Sequence, residues 1–454
     1  MPMIYDLGII GMGPAGIGMA ASLHNTDMIK STVCFERGSF FSNGRCAALL
    51  NNDCCSTDSC SIISGIGGAS VCSSGKISDY PAGSGLVKFF DSEQQLKDLF
   101  NKVVPYLSKK INLNKVEIDG ETIKNAESFY FEKDITYKYY DVYEFDAGNY
   151  RNFISETIQQ LKEEGLQIFD NTEVVDISYS HSPLYYSIKV KSFDGKTTTF
   201  RIRNLVLATG ALDLQDVLIE KIGKQTSKHY EIGVRIEAPT NAFGKMLLTH
   251  GDIKLKQGIG RTYCVTVDGK IIVYQTAKML FLEGFMEPSK PTGFTNLAVL
   301  IKSDAEKDIY DFLNSYCNEY SGYPIKQKLI DYMNERISSE PLNTTLGCAT
   351  CKDINNLLPP RINTELKEFI QNVLVNTMGI SENSLSILAP ELKIIRDLSI
   401  GDNFEISNNL YVIGAATGLF RGILQSLCSG LRCGQLIKKE MNHDVYLGCT
   451  LWKN

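Results

Sequence analysis

Three glycines and one acidic residue near the N-terminus have the types and spacing that bind a dinucleotide. Gly11, Gly13 and Gly16 form the pattern GxGxxG in the run GMGPAG, and Glu36 follows 20 residues after Gly16. In this pattern the first glycine allows a tight turn, the second admits a pyrophosphate to the backbone, and the third lets a helix pack closely on a strand. A carboxylate at that distance is suited to the hydroxyls of a ribose. These residues therefore predict a dinucleotide site.

The flanking sequence predicts the elements that would position these residues. Residues 4–10 (IYDLGII) are typical of a short buried strand, a helix of small residues follows the glycines, and residues 32–35 (TVCF) predict a second strand that ends at Glu36. The N-terminus of such a helix presents unpaired N–H groups and the positive end of its dipole to phosphates. The first 36 residues thus predict one βαβ unit. An ordinary glycine-rich turn is the alternative.

Two later segments favour FAD over NAD as the dinucleotide. Residues 205–210 (LVLATG) place small residues at a strand end, where a backbone can approach a cofactor closely, although an ordinary exit from a strand has the same composition. Residues 409–434 read as a strand, a glycine-rich loop and a helix from about Ile423. The N-terminus of that helix, with Arg421, could stabilise negative charge on a reduced flavin. The alternative for Arg421 is a solvated loop residue.

These segments define the candidate site residues. We expect Arg421, Lys393 and Lys76 to act as substrate-binding or flavin-tuning groups, and we expect no metal site. The positions predicted to contact the cofactor are Gly11, Gly13, Pro14, Ala15, Gly16, Glu36, Arg37, Arg45, Val175, Ala208, Thr209, Gly210, Gly414, Gly418, Arg421, Gly422 and Ile423.

Beyond these motifs, segments along most of the chain resemble one family. They are GMGPAG with Glu36, Arg45-Cys46, residues 60–78 (CSIISGIGGASVCSSGKIS), 229–239 (HYEIGVRIEAP), 261–264 (RTYC), 295–302 (TNLAVLIK), 389–393 (APELK) and the C-terminal LYVIGAATG…RGI. The chain resembles the two-dinucleotide-binding-domain flavoproteins and, more narrowly, the NAD/FAD-utilising (FAD-dependent) dehydrogenases. This resemblance implies an FAD-binding fold, an inserted substrate domain and redox chemistry.

The chain departs from the family pattern at two places. The family's FSDGKL-like element has no acidic residue in the corresponding CSSGKI at 72–77, and the acidic residue of its C-terminal flavin loop is replaced at Gly414-Ala415. No second GxGxxG lies between a strand and a helix, so a separate NAD(P)H domain is not expected. The reducing equivalents would then come from the substrate, from transiently bound NAD(P)H or from a redox partner protein.

Cysteine pairs suggest a second type of chemistry. Cys55 and Cys60, or Cys348 and Cys351 in CATC, could exchange electrons between a flavin and a thiol substrate. Free cysteine also behaves as a small buried hydrophobic residue, so structural cysteines are the alternative. A third possibility, from a different class, is a protein that binds FAD without redox turnover.

Composition excludes several other classes. Of 454 residues, 46 are Lys or Arg and 52 are Asp or Glu, for a net charge of −6, so the chain lacks the basic surface of a general nucleic-acid binder. No apolar run approaches the roughly 20 residues of a membrane helix, and no basic segment precedes the apolar start, so we expect neither a membrane span nor a signal peptide. The 13 cysteines are then expected to be reduced thiols in a cytoplasmic protein. The five histidines form no HxxxH or HExxH zinc motif.

The predicted fold class is α/β. We expect a Rossmann-like, glutathione-reductase-type FAD-binding domain in three parts, with an inserted α+β substrate domain. The proposed divisions are 1–90, 151–214 and 386–454 for the FAD-binding domain, 91–150 for a substrate or cap segment and 215–385 for the inserted substrate domain. Amphipathic helices are predicted at 307–319 and 323–336. Six tyrosines between residues 130 and 150 could line a pocket for a small organic substrate, or they could pack as half-buried residues.

Overall fold

The computed structural model describes residues 3–40, 60–73, 75–182, 184–211, 227–276, 279–339 and 342–441. Within these ranges the α-helices are α1 Pro14–Ala21, α2 Glu93–Ile111, α3 Gly120–Phe131, α4 Ala147–Glu163, α5 Gly244–Leu247, α6 Glu306–Glu319, α7 Leu329–Met333, α8 Pro360–Phe369 and α9 Ile423–Glu440. A π-helical segment, Ile370–Thr377, continues α8.

The strands, taken in chain order over the same ranges, are β1 Ile4–Ile10, β2 Thr32–Phe35, β3 Lys76–Ser78, β4 Asn114–Lys115, β5 Thr136–Tyr137, β6 Val142–Glu144, β7 Gln167–Phe169, β8 Thr172–His181, β9 Leu184–Ser192, β10 Thr197–Leu207, β11 Ser227–Pro239, β12 Leu255–Gln257, β13 Gly260–Thr266, β14 Lys270–Thr276, β15 Met279–Phe285, β16 Phe294–Ser303, β17 Ile325–Lys328, β18 Thr350–Cys351, β19 Ser386–Asp397, β20 Glu405–Ser407 and β21 Leu410–Val412.

The first sheet contains a run of parallel strands in the order β21-β10-β1-β2-β7. β20 adds an antiparallel edge strand, and the β8–β9 hairpin pairs with the first half of β10. Parallel neighbours end at the same edge, so the chain leaves β1, β2, β10 and β21 on one side of the sheet. In open α/β sheets this is the edge where ligands bind.

Helices α1 and α9 pack so closely that their backbones are in contact. A Cβ on Gly18 would lie 2.1 Å from the carbonyl oxygen of Leu427, and a Cβ on Gly430 would lie 2.1 Å from that of Ala15. Only glycine permits such an approach. The packing brings the N-termini of both helices to the same edge of the parallel sheet.

A second, mostly antiparallel sheet has the order β18-β17-β19-β11-β16-β13-β12-β5. The hairpin of β14 and β15 and the small sheet β3-β6-β4 complete the β-structure of the described ranges. The long strands β11, β16 and β19 form the centre of the second sheet, and most of their side chains are buried. The segment before β12 and the strands β13, β15 and β19 carry the polar residues that face the first sheet.

The α/β prediction is confirmed, whereas the glutathione-reductase type, the inserted domain and the domain boundaries stay predictions. The strands predicted at 4–10 and 32–35 and the helix from about Ile423 have the predicted limits. The helix predicted at 307–319 is α6. The helix predicted at 323–336 is wrong, because Ile325–Lys328 pairs with β19 as a strand and only Leu329–Met333 is helical. Pairing with a buried strand outweighs the local helical pattern.

Candidate active site at the edge of the parallel sheet

A cavity of about 440 Å³ opens where the parallel strands end. Its wall on this side is built by the residues that follow four strands: Gly11 after β1, Glu36 and Arg37 after β2, Ala208, Thr209, Gly210 and Ala211 after β10, and Ile413 and Ala415 after β21. Backbone hydrogen bonds fix these exits, from Gly11 N to Phe35 O (2.8 Å) and from Ala208 N to Ile10 O (2.8 Å). One cavity therefore receives the ends of several strands.

The three glycines of the GxGxxG pattern differ in what surrounds them. Gly11 has φ +95°, and a Cβ there would lie 2.5 Å from Ala208 O, whereas a Cβ on Gly16 would lie 2.0 Å from Gly11 O. These two glycines are required by the fold itself. Beside Gly13, however, the nearest heavy atom to a Cβ is Gly68 Cα at 4.0 Å, and Gly13 lines the cavity. The space beside Gly13 is left for a ligand, and the first-turn amides of α1 face that end without helical acceptors.

Glu36 is a buried acceptor that already binds the backbone. Its Oε2 accepts from Met12 N (2.8 Å), and its Oε1 accepts from Gly38 N (2.9 Å) and Gly65 N (2.8 Å). A carboxylate has about four acceptor positions, so one is left on Oε2. Glu36 also lines the cavity. It can therefore connect three loops and still accept one hydrogen bond from a ligand hydroxyl.

Helix α9 begins at the same cavity. Arg421, Gly422 and Ile423 line its wall, and Gly422 has φ +116° at the N-cap. Arg421 Nη2 donates to Ile394 O at 2.9 Å. No carboxylate of the described chain lies within 4 Å of this guanidinium, so both its charge and the dipole of the helix are directed at the cavity.

The opposite wall comes from the second sheet and the β14–β15 hairpin. It contains Asp252, Lys254, Tyr263, Cys264, Tyr274, Thr276, Phe281, Glu283, Gly284, Leu392, Lys393 and Ile394, and Lys76 of β3 joins it. Apolar residues line both walls, and the charged residues are concentrated on this side. Lys76 and Lys393 were predicted from the sequence, whereas Asp252, Lys254, Tyr263 and Glu283 were not.

Lys393 belongs to a buried network of charges. Its ammonium lies 2.9 Å from Glu283 Oε2 and 3.2 Å from Glu391 Oε1, while Arg235, fully buried behind it, binds Glu391 (2.8 Å) and Glu283 (3.3 Å). Asn296 Oδ1 accepts from the same guanidinium at 2.6 Å. Burial raises the pKa of Glu283, but Lys393 and Arg235 outweigh this effect and bring it to about 2. Burial lowers the pKa of Lys393, and its two carboxylate partners raise it well above the ordinary value.

Lys76 forms a second buried ion pair. Its ammonium lies 2.7 Å from Asp252 Oδ1 and also donates to Val265 O. Asp252 further accepts from Val265 N (3.1 Å) and from the Tyr140 hydroxyl (2.9 Å). Burial raises the pKa of Asp252, but Lys76 and Lys254 outweigh burial, so the net shift is downward. Both lysines predicted from sequence are thus held in place by carboxylates.

The positions predicted to contact the cofactor divide between the cavity wall and the packing around it. Pro14, Ala15, Arg37, Ala208, Thr209 and Gly210 line the cavity together with Gly11, Gly13, Glu36, Arg421, Gly422 and Ile423. Gly16 and Gly418 pack against backbone, and a Cβ on Gly414 would contact Ala15. On β8 it is Val174, and not Val175, that faces the cavity. Arg45 lies outside the described residues.

The cysteine and tyrosine hypotheses find no support at the cavity. Cys60 is buried, with its Sγ accepting from Gln275 N (3.3 Å), and Cys55 lies outside the described residues. Cys348 is disulfide-bonded and Cys351 is a free thiol, so these two are not bonded to each other, and neither lines the cavity. None of the six tyrosines between 130 and 150 lines it either. Tyr130 stacks on Tyr137, and the Tyr150 hydroxyl is hydrogen-bonded to Ser70 Oγ.

Neither a membrane helix nor a metal site is found in the described ranges. Every helix there is too short or too polar to cross a bilayer. No three His, Cys, Asp or Glu side chains of those ranges are grouped so that they could hold a metal ion.

Fold and cavity define an α/β protein with a cavity at the carboxyl ends of parallel strands. No protein-family model matches the sequence, and no curated protein matches it. Among solved structures it is similar to the FAD complex of glycerol-3-phosphate dehydrogenase from Bacillus halodurans, with 12% identity, TM-score 0.43 and coverage of 99% of this chain and 67% of that one.

Two further solved structures show similarity of the same order. Glycine oxidase from Geobacillus kaustophilus has 14% identity and TM-score 0.41, and the match covers 99% of this chain and 97% of that one. A flavoprotein/dehydrogenase from Cytophaga hutchinsonii has 12% identity and TM-score 0.40, with 97% and 80% covered. At these values the similarity carries no functional conclusion for this chain, which must follow from the site.

Proposed function

We propose that this protein is an FAD-dependent oxidoreductase that transfers a hydride between a small organic substrate and the flavin. The observation that carries the proposal is the single cavity, because it joins the phosphate-type loop at Gly13, the acceptor Glu36 and the N-terminus of α9 to a wall of buried charged residues. An extended dinucleotide with a redox-active ring needs these features in one continuous space.

The residues present fit FAD at both ends of the cavity. The amides at the start of α1 would bind the pyrophosphate, and the free acceptor position of Glu36 would bind a ribose hydroxyl. The N-terminus of α9 and Arg421 would lie at the isoalloxazine end and favour negative charge there. When bound, FAD would supply the hydride-accepting chemistry. The chain would position the substrate, exclude water and stabilise charge.

The second wall would hold the substrate against that ring. The described chain offers the Tyr263 hydroxyl no hydrogen-bond partner, and Arg261 and Lys393 lie 4.8 and 5.4 Å from the Tyr263 ring centroid. Burial raises the pKa of Tyr263, while Arg421 and Lys393 oppose that rise. A neutral hydroxyl in this position can donate a hydrogen bond to a substrate oxygen or accept one from its proton. Lys76 and Lys393 would then act as fixed positive charges beside the reacting centre.

Purification of the protein with excess FAD tests the first part of the proposal. We expect a yellow protein with one FAD per chain, which is released intact on denaturation. Anaerobic mixing with a metabolite panel, NADH and NADPH, followed by air, tests the second part. Bleaching by a metabolite supports the dehydrogenase, and bleaching by NADH or NADPH alone identifies the nicotinamide as the donor. A bound flavin that no donor reduces would contradict the redox function, and a colourless protein would contradict FAD binding.

A further inference from the structure

Lys254 differs from Lys76 and Lys393 because no carboxylate lies within hydrogen-bond distance of its ammonium. Its ammonium is 3.9 Å from Asp252 Oδ2, beyond hydrogen-bond distance, and it lies 4.6 Å from the centre of the Tyr140 ring. It donates a hydrogen bond to no group of the described chain. Lys254 lines the cavity.

The nearby carboxylates of Asp252 and Glu283 already accept hydrogen bonds from other groups. Asp252 Oδ1 accepts from Lys76 Nζ and Val265 N, and its Oδ2 accepts from the Tyr140 hydroxyl. Glu283 accepts from Lys393 and Arg235. Of the charged side chains that line this end of the cavity within the described ranges, four are cations (Lys76, Lys254, Lys393 and Arg421) and two are anions (Asp252 and Glu283). The excess of positive charge thus falls on Lys254 and Arg421.

The chain segment that carries Lys254 lies opposite Tyr263, whose hydroxyl makes no hydrogen bond within the described chain. Strands β12 and β13 pair Lys256 with Arg261 and Gln257 with Gly260, and continuing that register places Lys254 opposite Tyr263. The segment is fixed there, because Leu255 N donates to Thr262 Oγ1 (2.9 Å) and Thr262 Oγ1 donates to Ile253 O (3.1 Å). An ammonium and a hydroxyl, neither hydrogen-bonded within the described chain, are therefore carried by residues at opposite cross-strand positions of the cavity wall.

The Lys254 side chain is 33% exposed and its ammonium makes no hydrogen bond within the described chain, so a ligand carboxylate could bind it without displacing an internal hydrogen bond. Burial lowers the pKa of Lys254, and the nearby Lys76 lowers it further, so Asp252 alone does not compensate. We propose that the substrate of this site is an organic carboxylate, whose carboxyl group binds the Lys254 ammonium and the Tyr263 hydroxyl. The inference rests on the proposed function, since it concerns the substrate of the same cavity.

Binding of carboxylates and their neutral amides to the FAD-loaded protein tests this inference. The probes are acetate, succinate and benzoate, each paired with acetamide, succinamide or benzamide, and perturbation of the flavin absorbance reports binding. We expect at least one carboxylate to bind about ten-fold or more tightly than its amide, which corresponds to about 1.4 kcal/mol. In Lys254→Met the preference should fall below about two-fold, and in Lys254→Arg it should persist.

The matched control is Lys256→Met, which removes an exposed lysine two residues further along that does not line the cavity. It should keep the wild-type preference. A wild-type protein that binds no carboxylate better than its amide would overturn the inference, as would a preference that survives Lys254→Met in a folded protein with unchanged FAD content. Failure of the wild type to hold FAD would instead contradict the proposed function, and calorimetry with the same probes on the FAD-free protein would then decide the carboxylate preference separately.

Discussion

The ammonium of Lys76 and the carboxylate of Asp252 lie 2.7 Å apart, with 8% and 5% of their side chains exposed. They come from distant parts of the chain, β3 and the segment before β12, so the pair joins two sheets at the wall of the cavity. Such a pair stabilises the folded protein mainly because neither charge is left buried without a partner. The cost of desolvating the two charges offsets most of their attraction.

Removal of Lys76 should therefore be strongly destabilising. Lys76→Met leaves Asp252 buried without its main counter-charge, and we expect the free energy of unfolding to fall by about 3–5 kcal/mol. The double variant Lys76→Met/Asp252→Asn should recover part of that loss. Lys115→Met, which breaks the exposed pair with Asp141 (2.9 Å), is the control and should cost less than about 1 kcal/mol. Equal losses in the two single variants, measured by urea unfolding, would contradict this account.

Two glycines of the nucleotide loop should respond differently to alanine. Gly11→Ala places a Cβ 2.5 Å from Ala208 O at φ +95° and should lower the free energy of unfolding by about 1–3 kcal/mol. Gly13→Ala has its nearest heavy atom at 4.0 Å, so the FAD-free protein should be as stable as the wild type within about 0.5 kcal/mol. Its FAD affinity should nevertheless fall at least about ten-fold, because the methyl group occupies the ligand space.

Thermal unfolding of the FAD-free proteins and FAD titration separate these two effects. Normal FAD affinity in Gly13→Ala would show that the pyrophosphate does not pass beside Gly13.

Replacement of Glu36 by Gln should affect both the fold and the ligand. The amide nitrogen of Gln cannot accept the N–H groups of Met12, Gly38 and Gly65, so at least one donor loses its partner. We expect a loss of about 1–3 kcal/mol in unfolding free energy and a large loss of FAD affinity.

Glu164→Gln is the control for this prediction. The Glu164 carboxylate also accepts from a backbone amide, Asn25 N (3.0 Å), but it does not line the cavity, so FAD binding should remain. Equal FAD affinities of the two variants would show that Glu36 does not contact FAD.

Stability should fall in acid through Glu283. Its pKa is about 2 in the folded protein against an ordinary 4.5, so the unfolded chain takes up the proton first as the pH falls. The stabilisation is complete above about pH 4.5 and is lost as the pH falls towards 2, up to about 3 kcal/mol in all. Between pH 5 and pH 2.5, the free energy of unfolding of Glu283→Gln, measured with urea, should change less steeply with pH than that of the wild type. The same pH dependence of unfolding free energy in both proteins would mean that Glu283 is not paired with Lys393 and Arg235.

The sequence alone determined the half of the cavity to which we assign the nucleotide. The strand–glycine–helix pattern around Gly11 to Gly16, the position of Glu36 and the start of α9 at Ile423 are local features. Local features can be predicted because turn geometry and helix starts depend on neighbouring residues. The same pattern indicated which side chains could approach a ligand. It did not show that three backbone N–H groups already donate hydrogen bonds to the Glu36 carboxylate.

Only the tertiary structure decided the substrate half. Asp252, Lys254, Tyr263 and Glu283 carry no local motif, and they meet Lys76 and Lys393 only because β3, β13, β15 and β19 converge on one wall. The same long-range pairing converts residues 325–328 from the predicted helix into a strand beside β19. Contacts between residues more than a hundred positions apart depend on burial and strand pairing across the whole chain, and no local pattern records them.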